Sequence, residues 1–174
     1  LGDNLEQLVL SGTAALNGYG TALANTIWGN SGANYLSGNG GNDTLSGSSG
    51  NDTLNGGSGN DSMIGGTGND AYYVDASGDS TVETSTLASE IDTVYSSVTR
   101  GLGSNLERLV LSGSDNLNGY GNGLANTLAG NSGTNYLSGG GGNDTLNGGA
   151  GSDSMVGGSG NDSYYVDVAG DAAI

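Results

Sequence analysis

The chain has 174 residues, 18 of them acidic against two bases (Arg100 and Arg108), with 37 Gly, no His, Cys, Pro or Phe, and a net charge of −16. Without His or Cys there is no zinc-hydrolase, Ser-His or Cys-His machinery, and the charge opposes nucleic acid and anionic membranes, which are polyanions themselves. Such a composition reads as disordered unless cations neutralise it. No apolar run approaches the 18 residues of a membrane-spanning helix, and no leader is visible at Leu1, which is not Met. The sequence stops inside a motif, so it is expected to be a fragment of a longer protein. Absence of Cys is compatible with export without disulfides.

In chain order, residues 1–19 carry Leu5, Leu8, Leu10 and Leu16 in a spacing that predicts strand core. Residues 20–37 form two degenerate nine-residue units, GTALANTIW and GNSGANYLS, with Asn25 and Asn34 at the sixth position. From residue 38 the units are regular: GNGGNDTLS, GSSGNDTLN, GGSGNDSMI and GGTGNDAYY. Each has Gly first and fourth, Asp sixth (Asp43, Asp52, Asp61, Asp70) and an apolar residue eighth (Leu45, Leu54, Met63, Tyr72). Asn39 and Ser48 replace the usual second Gly. Residues 71–83 close this block; Asp79 lies 18 after Asp61, while Asp75 reads as a solvated turn acid. Residues 80–100 are rich in β-branched residues and predict short bridging strands. LGDNLEQLVLSG at 1–12 then returns as LGSNLERLVLSG at 102–113, a shift of 101 that holds through GNDTL at 142–146. Beyond that the best shift is 92, so the second copy lacks one nine-residue unit, and every later block changes sides. The second run supplies Asp144, Asp153 and Asp162, with Asn126 and Asn135 before it and Asp171 after it; Asp167 parallels Asp75.

One apolar residue per nine predicts a three-residue strand and a six-residue turn. A strand that short cannot stand alone. It is stable if the chain coils, two units per coil, so that equivalent strands stack every 18 residues at ~4.8 Å. Asp43 then lies over Asp61 and Asp52 over Asp70, and each carboxylate pair repels by about 3.5 kcal/mol at an effective dielectric of 20. Such a column needs a cation, and carboxylates with turn carbonyls are hard oxygen ligands that suit Ca2+. Five levels are specified by paired acids: Asp43/Asp61, Asp52/Asp70, Asp61/Asp79, Asp144/Asp162 and Asp153/Asp171. The glycines of the turns, among them Gly38, Gly40, Gly47 and Gly56, let carbonyls face inward; Ser58 stands in the same series without an assigned role. The Asn levels (Asn25, Asn34, Asn126, Asn135) offer a carbonyl oxygen but no charge, and weak or no metal is expected there.

The units closely resemble the RTX nonapeptide repeat GGxGxDxUx of bacterial secreted proteins. The resemblance implies an all-β parallel β-roll, or β-solenoid, with Ca2+ held between coils by the sixth-position Asp and turn carbonyls. It implies export through a type I system, an extracellular or cell-surface location, and folding on Ca2+ outside the cell. The expected organisation is one continuous solenoid: leading coils at 1–37, a first block at 38–83, linking and second leading coils at 84–138, and a second block at 139–174. Enzyme activity is not expected of this stretch, although its parent protein can carry a catalytic domain. The alternative is an adhesive module that binds surface glycans or its own copies head to tail. Tyr19, Trp28, Tyr35, Tyr120 and Tyr136 are the candidate sugar-stacking residues, with Tyr35 expected to point outward and cross-strand packing as the plainer role.

Overall fold

A computed structural model describes residues 2, 4 and 6–174; Leu1, Asp3 and the predicted core residue Leu5 lie outside the described residues. All regular structure among the described residues is β-strand, and the strands pair in parallel as a β-solenoid. The chain divides into two compact units, Leu1–Asp92 and Thr93–Ile174.

The first unit contains β1 (Gln7–Val9), β2 (Asn17–Tyr19), β3 (Thr26–Trp28), β4 (Tyr35–Gly40), β5 (Thr44–Ser49), β6 (Thr53–Ser58), β7 (Ser62–Thr67), β8 (Ala71–Val74) and β9 (Ser80–Val82). Consecutive strands alternate between two parallel ladders, β1-β3-β5-β7-β9 and β2-β4-β6-β8. The 18-residue period holds in both: Leu45 pairs with Met63, and Leu36 pairs with Leu54, which pairs with Tyr72. These eighth-position side chains, with Ile27, are fully buried between the two ladders. Burying each contributes roughly 1.5–3 kcal/mol, and no coil gains that without a neighbour. Gly18 continues the column as a gap, because a Cβ there would press on Ile27, Leu36 and Leu8.

The second unit repeats the arrangement with β10 (Thr93–Ser96), β11 (Arg100–Gly101), β12 (Arg108–Leu111), β13 (Asn118–Tyr120), β14 (Thr127–Ala129), β15 (Tyr136–Gly141), β16 (Thr145–Asn147), β17 (Ser154–Ser159), β18 (Ser163–Tyr165) and β19 (Ala172–Ala173). Its ladders are β10-β12-β14-β16-β18 and β11-β13-β15-β17-β19. The missing unit has the expected effect. β5 and β7 share a ladder, whereas their counterparts β16 and β17 lie on opposite ladders.

Two expectations need correction. Strands β4 to β7 are six residues long, not three, because pairing resumes beyond the first glycine of the next unit. In β5 and β7, Ser46 pairs with Ile64 and Ser48 with Gly66, while the intervening Gly47 and Gly65 leave the ladder. Leu16 is also not core: it is 39 % exposed, since the turn before β2 carries it outward, while Leu8 and Leu10 are half-buried. Its counterpart Leu117 is buried.

Candidate metal centre

Each turn between ladders is shaped by glycines with different tasks. The second and fourth positions are left-handed: Gly57 has φ +85°, Gly59 +140°, Gly66 +119° and Gly68 +123°. The first position needs space instead. A Cβ on Gly38 would overlap Asp43 Oδ2 and the Gly56 carbonyl, and one on Gly47 would overlap Asp52 Oδ2 and the Gly65 carbonyl. In the second unit Gly139 faces Asp144 Oδ2 and the Gly157 carbonyl. Gly56 and Gly148 face Asp61 Oδ2 and Asp153 Oδ2. The glycine that leaves the ladder thus opens a cradle. A carboxylate oxygen and, where the next coil supplies it, a backbone carbonyl converge there.

The two oxygens of each Asp have separate fates. Oδ1 accepts the backbone N–H of the residue one coil earlier: Asn25 to Asp43 (2.7 Å), Asn34 to Asp52 (2.7 Å), Asp43 to Asp61 (2.7 Å) and Asp52 to Asp70 (2.7 Å). The second unit repeats this at Asp144, Asp153, Asp162 and Asp171. Oδ2 is buried and accepts no hydrogen bond at Asp43, Asp52, Asp61, Asp70, Asp144 and Asp153. A buried carboxylate oxygen without a partner costs several kcal/mol, so six of them in register call for a counter-charge. Burial drives the pKa values up, to about 6 at Asp52 and Asp61 and about 7 at Asp70, against the lowering effect of the N–H each accepts. Neighbouring acids raise Asp61 and Asp70 further. Asp43, Asp144 and Asp153 shift the same way through burial.

The remaining predicted residues sit differently. Asp79 and Asp171 use both oxygens on backbone N–H groups: Oδ1 on Asp61 or Asp153, Oδ2 on their own turns at Asp75 and Ala76 or Asp167 and Val168. The Asp153 N–H in particular holds the Asp171 carboxyl below the usual range. Asp162 is half-buried, with Oδ2 beside Gly157. Asp75 and Asp167 are exposed. Asn25, Asn34, Asn126 and Asn135 are buried, and each Oδ1 accepts an N–H from its own turn, at Thr21, Asn30, Asn122 and Asn131. The amides of Asn34 and Asn135 also cap the Leu16 and Leu117 carbonyls. Gly40 pairs with Ser58 on the strand, away from the cradles. Tyr35 is half-buried against Tyr19 (ring centroids 5.8 Å apart), and Tyr120 and Tyr136 form the matching pair at 6.0 Å.

Sequence reading missed two acids. Asp70, Glu83 and Asp92 each place one carboxylate oxygen within 4.8 Å of the others. Asp92 follows Asp70 by 22 residues, which hides it from an 18-residue period. The signal was in its neighbours: Asp92-Thr93-Val94 repeats the Asp-Thr-Leu of the regular units, and Val94 is fully buried. The oxygen-only donor set, enclosed carboxylates and glycine-made cradles fit a calcium ion.

No curated protein matches the chain. The model of the RTX calcium-binding nonapeptide repeat family matches residues 19–54, 37–72, 46–80, 120–154 and 129–164. These segments cover more than half of the sequence and contain every cradle of both units. The chain belongs to the RTX calcium-binding nonapeptide repeat family.

Proposed function

We propose that this chain is a structural module that folds when Ca2+ fills its cradles, after export of its parent protein from the cell. The supporting observation is the set of six buried Asp Oδ2 atoms without partners, each facing the space left by a first-position glycine. Five repeat sites are proposed, at the cradles of Gly38, Gly47, Gly56, Gly139 and Gly148. Asp43, Asp52, Asp61, Asp144 and Asp153 supply the charged oxygens, and the carbonyls of Gly56, Gly65 and Gly157 contribute where they face the cradle. When bound, Ca2+ supplies the positive charge that lets these carboxylates stay ionised while buried. The Asn levels use their amides as metal-free rungs, and Asp79 and Asp171 cap the final turns.

At the low Ca2+ of a cell interior, repulsion within a chain of net charge −16 keeps the module unfolded and exportable. Extracellular modules of this ligand type bind with Kd of about 10⁻⁴–10⁻³ M, a range that places folding outside. The test is far-UV circular dichroism during a Ca2+ titration, with Mg2+ as control. A cooperative gain of β signal near millimolar Ca2+, and none with Mg2+, is expected. A full β signal in chelator would sink the folding switch.

A further inference from the structure

The end of the first repeat block breaks the nonapeptide rule at its cradle. Eighteen residues after Gly38 and Gly47 stand Gly56 and Gly65, whose carbonyls face those cradles. Eighteen residues after Gly65 stands Glu83. Its side-chain Oε2 occupies the carbonyl's place, beside Asp70 Oδ2 and the Tyr72 hydroxyl. Asp92 closes the other side, with Oδ1 accepting the Asp70 N–H at 2.7 Å. All three acids are at most 5 % exposed. Glu83 is held in place: Ser85 N–H donates to Oε1 at 2.7 Å, and the Tyr72 hydroxyl donates to Oε2 at 2.9 Å. Independently of the clustering, Asp70 Oδ2 is buried, accepts no hydrogen bond and points into this space.

We propose that Asp70, Glu83 and Asp92 form a calcium site different in kind from the repeat sites and the tightest in the chain. The inference rests on the calcium-module reading and deepens it. A repeat cradle presents one carboxylate oxygen and at most a neutral carbonyl; this one presents three carboxylates. Calcium affinity rises with the count of charged ligands and with the rigidity of the site, and both are greatest here. Mg2+ is disfavoured because it sheds its water reluctantly and demands a small octahedron. The site therefore fills first as Ca2+ rises, and orders the end of the first block before the repeat cradles are occupied.

The test is a Ca2+ titration of the whole 174-residue chain against a chromophoric chelator, paired with Tb3+ as a luminescent probe. One equivalent binding at least about tenfold tighter than the rest is expected. Glu83→Gln should abolish that class, and Asp144→Asn, in the second unit, should leave it. The first equivalent of Tb3+ should emit on tyrosine excitation, and Tyr72→Phe should quench that emission while keeping all three carboxylates. A single affinity class, or a tight class that survives Glu83→Gln, overturns the proposal. If Glu83→Gln does not fold in saturating Ca2+, the Tb3+ arm decides: emission unchanged in Tyr72→Phe places the tight ion elsewhere. Failure of the wild-type chain to bind Ca2+ in any class sinks the calcium-module reading itself.

Discussion

At the scale of the residue, one glycine-rich turn divides its labour by position. The second position must be left-handed, and Asn39 (φ 73°) and Ser48 (φ 82°) adopt that conformation without being glycine. Asn tolerates it better than most residues and recovers a 2.9 Å hydrogen bond from Nδ2 to the Gly20 carbonyl. Ser48 obtains only a 3.3 Å contact with the Gly29 carbonyl. Left-handed backbone costs an L-residue about 1–2 kcal/mol, more than so long a hydrogen bond returns. Ser48→Gly should therefore stabilise the Ca2+-loaded protein by about 0.5–1 kcal/mol, read as a raised urea midpoint, whereas Asn39→Gly should not. The first position is a matter of room. Gly47→Ala would place its Cβ on Asp52 Oδ2 and the Gly65 carbonyl, so it should cost one equivalent of bound Ca2+ by calorimetry. Gly123→Ala, whose Cβ meets nothing within 4 Å, should keep full stoichiometry.

At the scale of the element, each strand contributes one buried side chain and depends on the strands above and below for its enclosure. Leu54 on β6 sits between Leu36 and Tyr72 in register and is fully buried. Truncating it opens a cavity that a ladder fixed on both sides cannot close. Leu54→Ala should thus cost about 2–5 kcal/mol, measured by urea unfolding in saturating Ca2+. Leu124 lies in a turn and is 42 % exposed; Leu124→Ala should stay within about 0.5 kcal/mol. The element scale also explains why one nonapeptide could be lost from the second copy. A nine-residue unit is one strand and one turn, so its removal moves later strands to the opposite ladder without breaking register.

At the scale of the whole molecule, protons and Ca2+ compete for the same enclosed oxygens. Asp52, Asp61 and Asp70 titrate at about 6, 6 and 7 in the metal-free fold, well above the model value of 3.8 for an unburied Asp. Between these values the fold binds more protons than the unfolded chain, so stability falls as pH rises. The proton-linked stabilisation is complete below about pH 4 and lost as pH climbs through 6 to 7. Metal-depleted protein should therefore gain β signal by circular dichroism when taken from pH 8 to pH 4.5. The Ca2+ midpoint should move to higher concentration over the same descent, because each bound ion must then displace protons. A metal-free signal that stays flat across this range would mean the buried acids are not what keeps the apo chain unfolded.

Much of this was legible in one dimension because a solenoid turns sequence period into spatial neighbourhood. Spacings of nine and 18 residues suffice for the parallel ladders, the buried column of Leu45, Leu54 and Met63, the stacking of Asp43 under Asp61, and the change of sides after the lost unit. What a period cannot carry is how a side chain divides its oxygens, or what happens where the period fails. Oδ1 of each Asp is consumed by the neighbouring coil's amide while Oδ2 is stranded, and Asp79 and Asp171 spend both oxygens on backbone. That difference depends on which N–H groups a particular turn brings near. Glu83 and Asp92 fall outside the repeat, at 13 and 22 residues from Asp70, so no spacing rule joins them. Only the path of the chain through a wider coil puts their carboxylates together.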